Sequence, residues 1–163
     1  MSADEAGFRR GTRLGIDWGT TRVGVAACDP DALLSYPVET IPARNQQKAL
    51  VRLTELVSEF KPIEIVLGLP LTLGGHAAQA VEFIQSVATL IVGTSEIPVR
   101  LVDERLTTAA ANKKLAHVDT RTRRHVLDQA AAVGILEGTL AYERDIGSPP
   151  GQLWVCPSTE GEE

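Results

Sequence analysis

Residues 14–26 read LGIDWGTTRVGVA, which predicts an apolar strand, a tight turn and a second apolar strand. Because side chains alternate along a strand, Leu14, Ile16 and Trp18 are expected on one face and Asp17 on the other. An aspartate in an otherwise apolar strand is costly unless a positive partner meets it. Two interpretations stay open at this point: Asp17 caps a hairpin turn, or Asp17 belongs to a functional site.

Small and polar residues shape the turn that follows Asp17. Gly19 permits the turn, and Gly24 leaves room on the second strand for another backbone or for a ligand. Thr20 and Thr21 place two hydroxyl groups at the mouth of the turn. Residues 14–26 are therefore expected to leave space and to place hydroxyl groups beside the Asp17 carboxylate.

Composition indicates one globular domain with a sizeable core, since the chain has 163 residues, 44% of them hydrophobic and 23% charged. No apolar run approaches the roughly 20 residues of a membrane span, and residues 1–11 lack the apolar stretch of a signal peptide. Cys28 and Cys156 have no metal-ligand spacing. We therefore expect a cytoplasmic protein with no membrane partner and with Cys28 in its core.

Charge is unevenly distributed. The formal net charge of −5 argues against indiscriminate nucleic-acid binding. Basic residues nevertheless outnumber acidic ones between residues 100 and 125, whereas the chain ends in an acidic tail. A local basic surface is compatible with contacts to a phosphate backbone, and the alternative is a solvated helix and loop face.

The order of predicted elements indicates an α/β fold. Three strands joined by short turns, at 13–17, 22–28 and 33–41, are followed by a helix at 45–60. Pro37 places the third strand at a sheet edge. The rest of the chain is predicted as a strand at 63–68, a helix at 77–92, a strand at 98–104, a helix opening at Thr107 and Thr108, and a last helix at 123–142.

The predicted organisation has three parts. Residues 1–12 are expected to be a flexible N-terminus, and residues 13–145 a single domain. Residues 146–163 form a Pro/Gly-rich, acidic tail that is expected to be partly disordered, although the segment 153–155 can dock on the domain.

The predicted topology brings three acidic residues towards one place. Right-handed crossovers set the strands at 63–68 and 98–104 parallel to the first strand, and ligands bind beyond the carboxyl ends of such strands. Asp17 and Glu104 fall at those ends, and Asp128 lies on a helix that can approach them. The structural alternatives are a surface ion pair within residues 103–105 and a favourable position of Asp128 at a helix N-terminus.

Three neighbouring carboxylates require a cation. Two unit charges about 4 Å apart repel by roughly 4 kcal/mol at an effective dielectric constant of about 20. Oxygen ligands suit Mg²⁺ or Mn²⁺, and two such ions about 3.5–4 Å apart can activate a water and stabilise the leaving oxygen of a phosphodiester. The pattern therefore predicts a two-ion site with phosphodiester chemistry.

Four segments carry a resemblance to a known family: 15–26, 66–71 (VLGLPL), 102–108 (VDERLTT) and 127–132 (LDQAAA). In order and spacing, the chain resembles the YqgF/RuvX family of the ribonuclease H-like superfamily, which also contains the RuvC resolvases. The resemblance implies a ribonuclease H-like mixed five-stranded sheet, three antiparallel strands then two parallel ones, flanked by helices. It also implies that Asp17, Glu104 and Asp128 are metal-binding catalytic acids. Members of this family are assigned to maturation of the 5′ end of 16S rRNA or to cleavage of Holliday junctions.

The leading hypothesis is a Mg²⁺- or Mn²⁺-dependent nuclease acting on structured RNA or branched DNA as a monomer or a homodimer. Candidate substrate-binding residues are Thr20, Arg22, Arg105, Lys113, Lys114, Arg121, Arg123 and Arg124. One alternative is a non-catalytic nucleic-acid or ribosome-assembly binding protein. Another is an ATP binder, because the first motif also resembles a phosphate loop of the actin, Hsp70 and sugar kinase superfamily. Those proteins need two such domains, and the chain has no G-x-x-x-x-G-K-[ST] loop.

Overall fold

A mixed six-stranded sheet forms the centre of the protein in a computed structural model that describes residues 7–70, 77–106 and 120–155. The helices and strands are β1 (Arg13–Trp18), β2 (Arg22–Cys28), β3 (Ser35–Pro42), α1 (Gln46–Phe60), β4 (Glu64–Leu69), α2 (Ala77–Ser95), β5 (Val99–Asp103), α3 (Thr120–Ile146) and β6 (Gln152–Trp154). A single 3-10 turn, Glu104–Leu106, follows β5. The helix predicted to open at Thr107 lies outside the described residues.

The strand order is β3-β2-β1-β4-β5-β6, with β4 parallel to β1 and β5 parallel to β4. The strands β2 and β3 run antiparallel to their neighbours, and β3 lies at one edge, as Pro37 predicted. The predicted α/β class and the pattern of three antiparallel and two parallel strands are therefore confirmed. The carboxyl ends of β1, β4 and β5 meet at the same edge of the sheet, which is where the acidic residues were expected.

The sheet has one strand more than the five expected. Gln152 pairs with Leu101, and Trp154 pairs with Val99, so β6 extends the sheet antiparallel to β5. The indole nitrogen of Trp154 donates a hydrogen bond to Thr89 of α2 at 3.0 Å. A strand of three residues is too short to show a hydrophobic period, which is why only docking of this segment was predicted.

The predicted alternation of side chains along β1 is confirmed, because the two faces of the sheet pack against different helices. Leu14, Ile16 and Trp18 are buried in a core that is completed by α1 and α2. The opposite face packs against α3, which contributes Ala132 and Leu136 to a second buried cluster. Cys28 is also buried in that second cluster, as predicted. No helix in the described ranges combines the length and the apolar character that a membrane crossing requires.

A buried ionic cluster lies at the amino ends of the parallel strands, at the other end of the sheet from the acidic residues. The Glu143 carboxylate accepts hydrogen bonds from Arg9 at 2.9 Å and from Arg13 at 3.2 Å. Glu64 accepts from Arg9 and from Arg100, both at 3.0 Å. Burial alone would raise the pKa of Glu143, but the hydrogen bonds from Arg9 and the charge of Arg13 hold that pKa below its ordinary value. This cluster ties the residues before β1 to α3 and to the parallel strands.

Residues on both sides of the predicted 13–145 domain pack against it. Phe8 is buried, and its ring lies beneath the guanidinium groups of Arg13 and Arg144. At the other end, Gly151 approaches the backbone of Leu101 so closely that a side chain would overlap it. The packed region therefore includes residues 7–12 and the strand β6.

Candidate active site

Asp17 lies on β1 just before the turn, on the face that α3 covers, and it is only partly exposed. Burial raises its pKa to about 6, and the charges of Asp128 and Glu104 add to the shift. Among the described residues, no basic side chain forms an ion pair with Asp17. Asp17 is therefore close enough to each of the other two acids to be repelled by both, and no basic side chain in the described part of the chain compensates its charge.

Glu104 begins the turn after β5, beside the carboxyl end of β4. Burial raises the pKa of Glu104, the nearby Asp103 charge adds to the shift, and Arg105 partly offsets it. Glu104 and Asp17 line an open cleft of about 310 Å³ together with Arg105, Ala131 and Ile135. The cleft thus joins the ends of two strands to one face of α3.

Asp128 projects from α3 and is held by Arg22. The Arg22 Nε donates a hydrogen bond to the Asp128 Oδ2 at 2.7 Å, and this carboxylate is 21% exposed. The helix α3 begins at Thr120, two turns before Asp128. The alternative that Asp128 merely favours a helix N-terminus is therefore wrong, because that effect is confined to the first turn.

The ion pair proposed as an alternative within residues 103–105 does form, but it does not include Glu104. Arg105 donates to the Asp103 carboxylate at 2.6 Å, with the Arg105 side chain exposed and the Asp103 side chain partly buried. The hydrogen bonds of this pair leave Glu104 facing the cleft with Asp17. Asp103 therefore forms the surface ion pair, whereas Glu104 remains a candidate residue of the active site.

The carboxylates approach one another without forming a finished ligand set. No group of three acidic, histidine or cysteine side chains within the described part of the chain is arranged to hold a metal ion. The ion pair with Arg22 engages Asp128, the member of the set that α3 contributes. The chemistry of the donors fits a hard divalent cation, since all three are oxygen ligands and no described basic side chain pairs with Asp17.

The predicted substrate-binding residues have different positions. Thr20 is exposed in the turn between β1 and β2, Arg22 pairs with Asp128, and Arg105, which lines the cleft, pairs with Asp103. Lys113 and Lys114 lie outside the described residues. In the first two turns of α3, ahead of Asp128, lie Arg121, Arg123 and Arg124.

Ala131 and Ile135 line the cleft but were not predicted as site residues. Residues three and seven positions after Asp128 lie on the same face of a helix as Asp128. The spacing in the sequence could therefore have identified Ala131 and Ile135 as neighbours of the site. Next to Asp128, the Gln129 amide donates a hydrogen bond to the Thr40 hydroxyl of β3 at 3.0 Å. That contact fixes the same part of α3 to the edge of the sheet.

Comparison with known proteins gives a consistent result. A family model described as RuvX, Holliday junction resolvase, matches residues 11–142. A Streptomyces coelicolor protein with the provisional name pre-16S rRNA nuclease is 48% identical over 153 residues, which cover 92% of each chain. A Mycolicibacterium smegmatis protein with the same provisional name is 45% identical over 151 residues, covering 87% of this chain and 86% of that one.

Among solved structures, Thermus thermophilus RuvC in complex with a Holliday junction substrate has a similar fold. It matches with a TM-score of 0.58 at 17% identity, over 85% of this chain and 98% of that one. This likeness confirms the ribonuclease H-like architecture predicted from the sequence. The chain therefore belongs to the RuvX family, a family of nucleases that hydrolyse phosphodiester bonds.

Proposed function

We propose that this protein is a Mg²⁺- or Mn²⁺-dependent nuclease whose ions are held by Asp17, Glu104 and Asp128. The observation that supports this most strongly is the environment of Asp17. Its carboxylate is largely buried, burial and two other carboxylates raise its pKa to about 6, and no described basic group pairs with it. A buried charge of this kind is unfavourable unless a cation compensates it.

The chemistry of the ligands indicates the kind of reaction. Asp17, Glu104 and Asp128 would hold the ions, which would supply an activated water and stabilisation of the leaving oxygen in phosphodiester hydrolysis. Asp17 is the central ligand in this proposal because both other acids act on its pKa. Arg22 is a positioning residue, since its hydrogen bond orients the Asp128 carboxylate on the sheet side of α3.

Nucleic-acid binding is proposed for the residues that surround the cleft. Thr20 and Arg22 lie at the turn after β1, and the exposed guanidinium of Arg105 lines the cleft itself. Such groups suit contacts with phosphate oxygens, which position a nucleic acid without reading its sequence. The remaining members of the proposed surface are Lys113, Lys114, Arg121, Arg123 and Arg124.

The substrate is proposed from the relatives. The provisional names of the similar bacterial proteins indicate a precursor of 16S rRNA, and the family description indicates a Holliday junction. Both are structured nucleic acids, and both are proposed substrates in the cytoplasm. A symmetric four-way junction requires two related active sites and hence a homodimer, whereas trimming of an RNA end requires a single site.

Removal of divalent ions is expected to abolish cleavage. Purified protein is incubated with a labelled four-way junction and with a precursor 16S rRNA fragment, in MnCl₂, in MgCl₂ and in EDTA. We expect products only with the added ions, because the carboxylates alone supply no positive charge at the cleft. Gel analysis also identifies the preferred substrate and whether cuts are internal or terminal.

Three outcomes would contradict the proposal. Cleavage that persists in EDTA excludes the two-ion mechanism. Binding of RNA without cleavage, unchanged when alanine replaces all three acids, indicates a ribosome-assembly binding protein instead. Tight binding of ATP by calorimetry, with no cleavage of either substrate, supports the relationship to the actin and sugar kinase superfamily.

A further inference from the structure

The three acids are brought together where α3 lies directly on the backbone of the sheet. Gly24 of β2 is paired in register with Asp17 of β1, and residues paired in this way share one face of an antiparallel pair. A Cβ atom at Gly24 would overlap the backbone carbonyl of Asp128 and would lie 3.0 Å from the backbone nitrogen of Gln129. The absence of a side chain at Gly24 therefore allows Asp128 to lie beside Asp17.

A second glycine has the corresponding role for Glu104. A Cβ atom at Gly138 of α3 would overlap the backbone carbonyl of Leu106 and would lie 3.0 Å from its side chain. Leu106 ends the single turn that Glu104 begins. The turn carrying Glu104 therefore rests on α3 because Gly138 has no side chain.

We propose that Gly24 and Gly138 are positioning residues that set the spacing of the three carboxylates and so make the site select divalent cations by size. This inference rests on the proposed metal-dependent function. Oxygen ligands lie about 2.0–2.1 Å from Mg²⁺ and about 2.3–2.6 Å from Ca²⁺, and Mg²⁺ tolerates less variation in geometry. A wider arrangement of the same three carboxylates therefore weakens the binding of Mg²⁺ more than that of Ca²⁺.

A matched control variant can show whether any strain between α3 and the sheet has the same effect on cation binding. Gly15 of β1 also lies beneath α3, where a Cβ atom would be 2.8 Å from the Ala132 carbonyl oxygen and 3.0 Å from Leu136. This contact is about one helical turn beyond Asp128, so alanine at Gly15 strains the packing of the same helix on the sheet without meeting Asp128 or the turn that carries Glu104. Gly93 of α2 is a second control, since a Cβ atom there would meet no atom within 4 Å.

The test measures the affinities of the full-length protein for MgCl₂ and CaCl₂ by isothermal titration calorimetry. Gly24→Ala and Gly138→Ala are compared with wild type, Gly15→Ala and Gly93→Ala, and circular dichroism verifies that each variant is folded. We expect the ratio of Mg²⁺ to Ca²⁺ affinity to fall by about tenfold or more in Gly24→Ala and in Gly138→Ala. Gly15→Ala and Gly93→Ala are expected to keep the wild-type ratio. Because Gly138 acts from a different element, it carries the test even if Gly24→Ala does not fold.

The results separate this inference from the proposed function. An unchanged ratio in the folded Gly24→Ala or Gly138→Ala variant overturns the positioning role, and so does an equal fall in Gly15→Ala. A wild-type protein that binds neither cation contradicts the proposed function itself.

Discussion

Replacement of Asp17 by asparagine is expected to abolish cleavage and, without divalent ions, to make the folded protein more stable. Folding raises the pKa of Asp17 from 3.8 to about 6, and each unit corresponds to about 1.36 kcal/mol. The ionised carboxylate therefore costs the folded state roughly 3 kcal/mol at pH 7. An amide of the same shape removes that cost but retains a smaller desolvation cost, so we expect a gain of about 1–3 kcal/mol.

The loss of activity has the same physical origin. The amide side chain in Asp17→Asn offers no anionic oxygen to a divalent cation. We therefore expect this variant to lower the rate of cleavage by about 1000-fold or more, which corresponds to about 4 kcal/mol of transition-state stabilisation. Urea unfolding in EDTA at pH 7 measures the stability, and the cleavage assay in MnCl₂ measures the rate.

Asp31→Asn is the matched control for this experiment. Asp31 is 60% exposed and pairs only on the surface, with Arg10, so its replacement is expected to change neither the stability nor the rate by much. A less stable Asp17→Asn protein would show that Asp17 is compensated in the folded state. Equal cleavage by wild type and Asp17→Asn would exclude Asp17 from the active site.

Replacement of Glu143 by alanine is expected to cost about 3–5 kcal/mol of stability, because it breaks a buried ion pair by removing one partner. The Glu143 side chain is fully buried, and Arg13, which pairs with it, is 1% exposed. Without the carboxylate, the Gly11 carbonyl is the one hydrogen-bond acceptor that the described residues leave to the Arg13 guanidinium. Since native domains are stable by about 5–15 kcal/mol, a loss of this size lowers the urea midpoint substantially.

Glu82→Ala is the control for Glu143→Ala. Glu82 is exposed on α2, and a surface substitution of this kind is expected to change stability by no more than about 0.5 kcal/mol. A Glu143→Ala protein as stable as Glu82→Ala would show that the buried cluster contributes nothing to the free energy of unfolding.

The pH dependence of the free energy of unfolding tests the same buried cluster with a more conservative substitution, Glu143→Gln. The pKa of Glu143 is held below its ordinary value of 4.5 in the folded state. A lowered pKa stabilises the folded protein above pH 4.5, and that contribution is lost as the pH falls through the folded-state pKa. The stability difference between wild type and Glu143→Gln is therefore expected to shrink below pH 4.5. A difference that stays constant down to about pH 3 would contradict this assignment.

The local pattern of the sequence predicted much of the fold. Alternation placed Leu14 and Asp17 on opposite faces of β1, and both side chains lie as expected. The space predicted at Gly24 is filled by the backbone of α3 rather than by a ligand. These predictions succeeded because each depends on residues that are close together in the chain.

The interactions that sequence reasoning missed join distant residues. Arg22 and Asp128 are separated by 106 positions, and Arg9 and Glu143 by 134. Charged side chains have no period that identifies their partners, so only the folded chain shows which basic residue meets which acid. The pairing of Arg22 with Asp128 changes the interpretation of Arg22, which was predicted only as a phosphate contact.

The central claim is that Asp17, Glu104 and Asp128 share divalent cations. Crystals soaked in MnCl₂, with anomalous diffraction collected at the manganese edge, test it most directly. The account predicts anomalous density bound by oxygens of all three carboxylates, at about 2–2.5 Å. Crystals that take up manganese elsewhere, with no density at Asp17, Glu104 or Asp128, would contradict it.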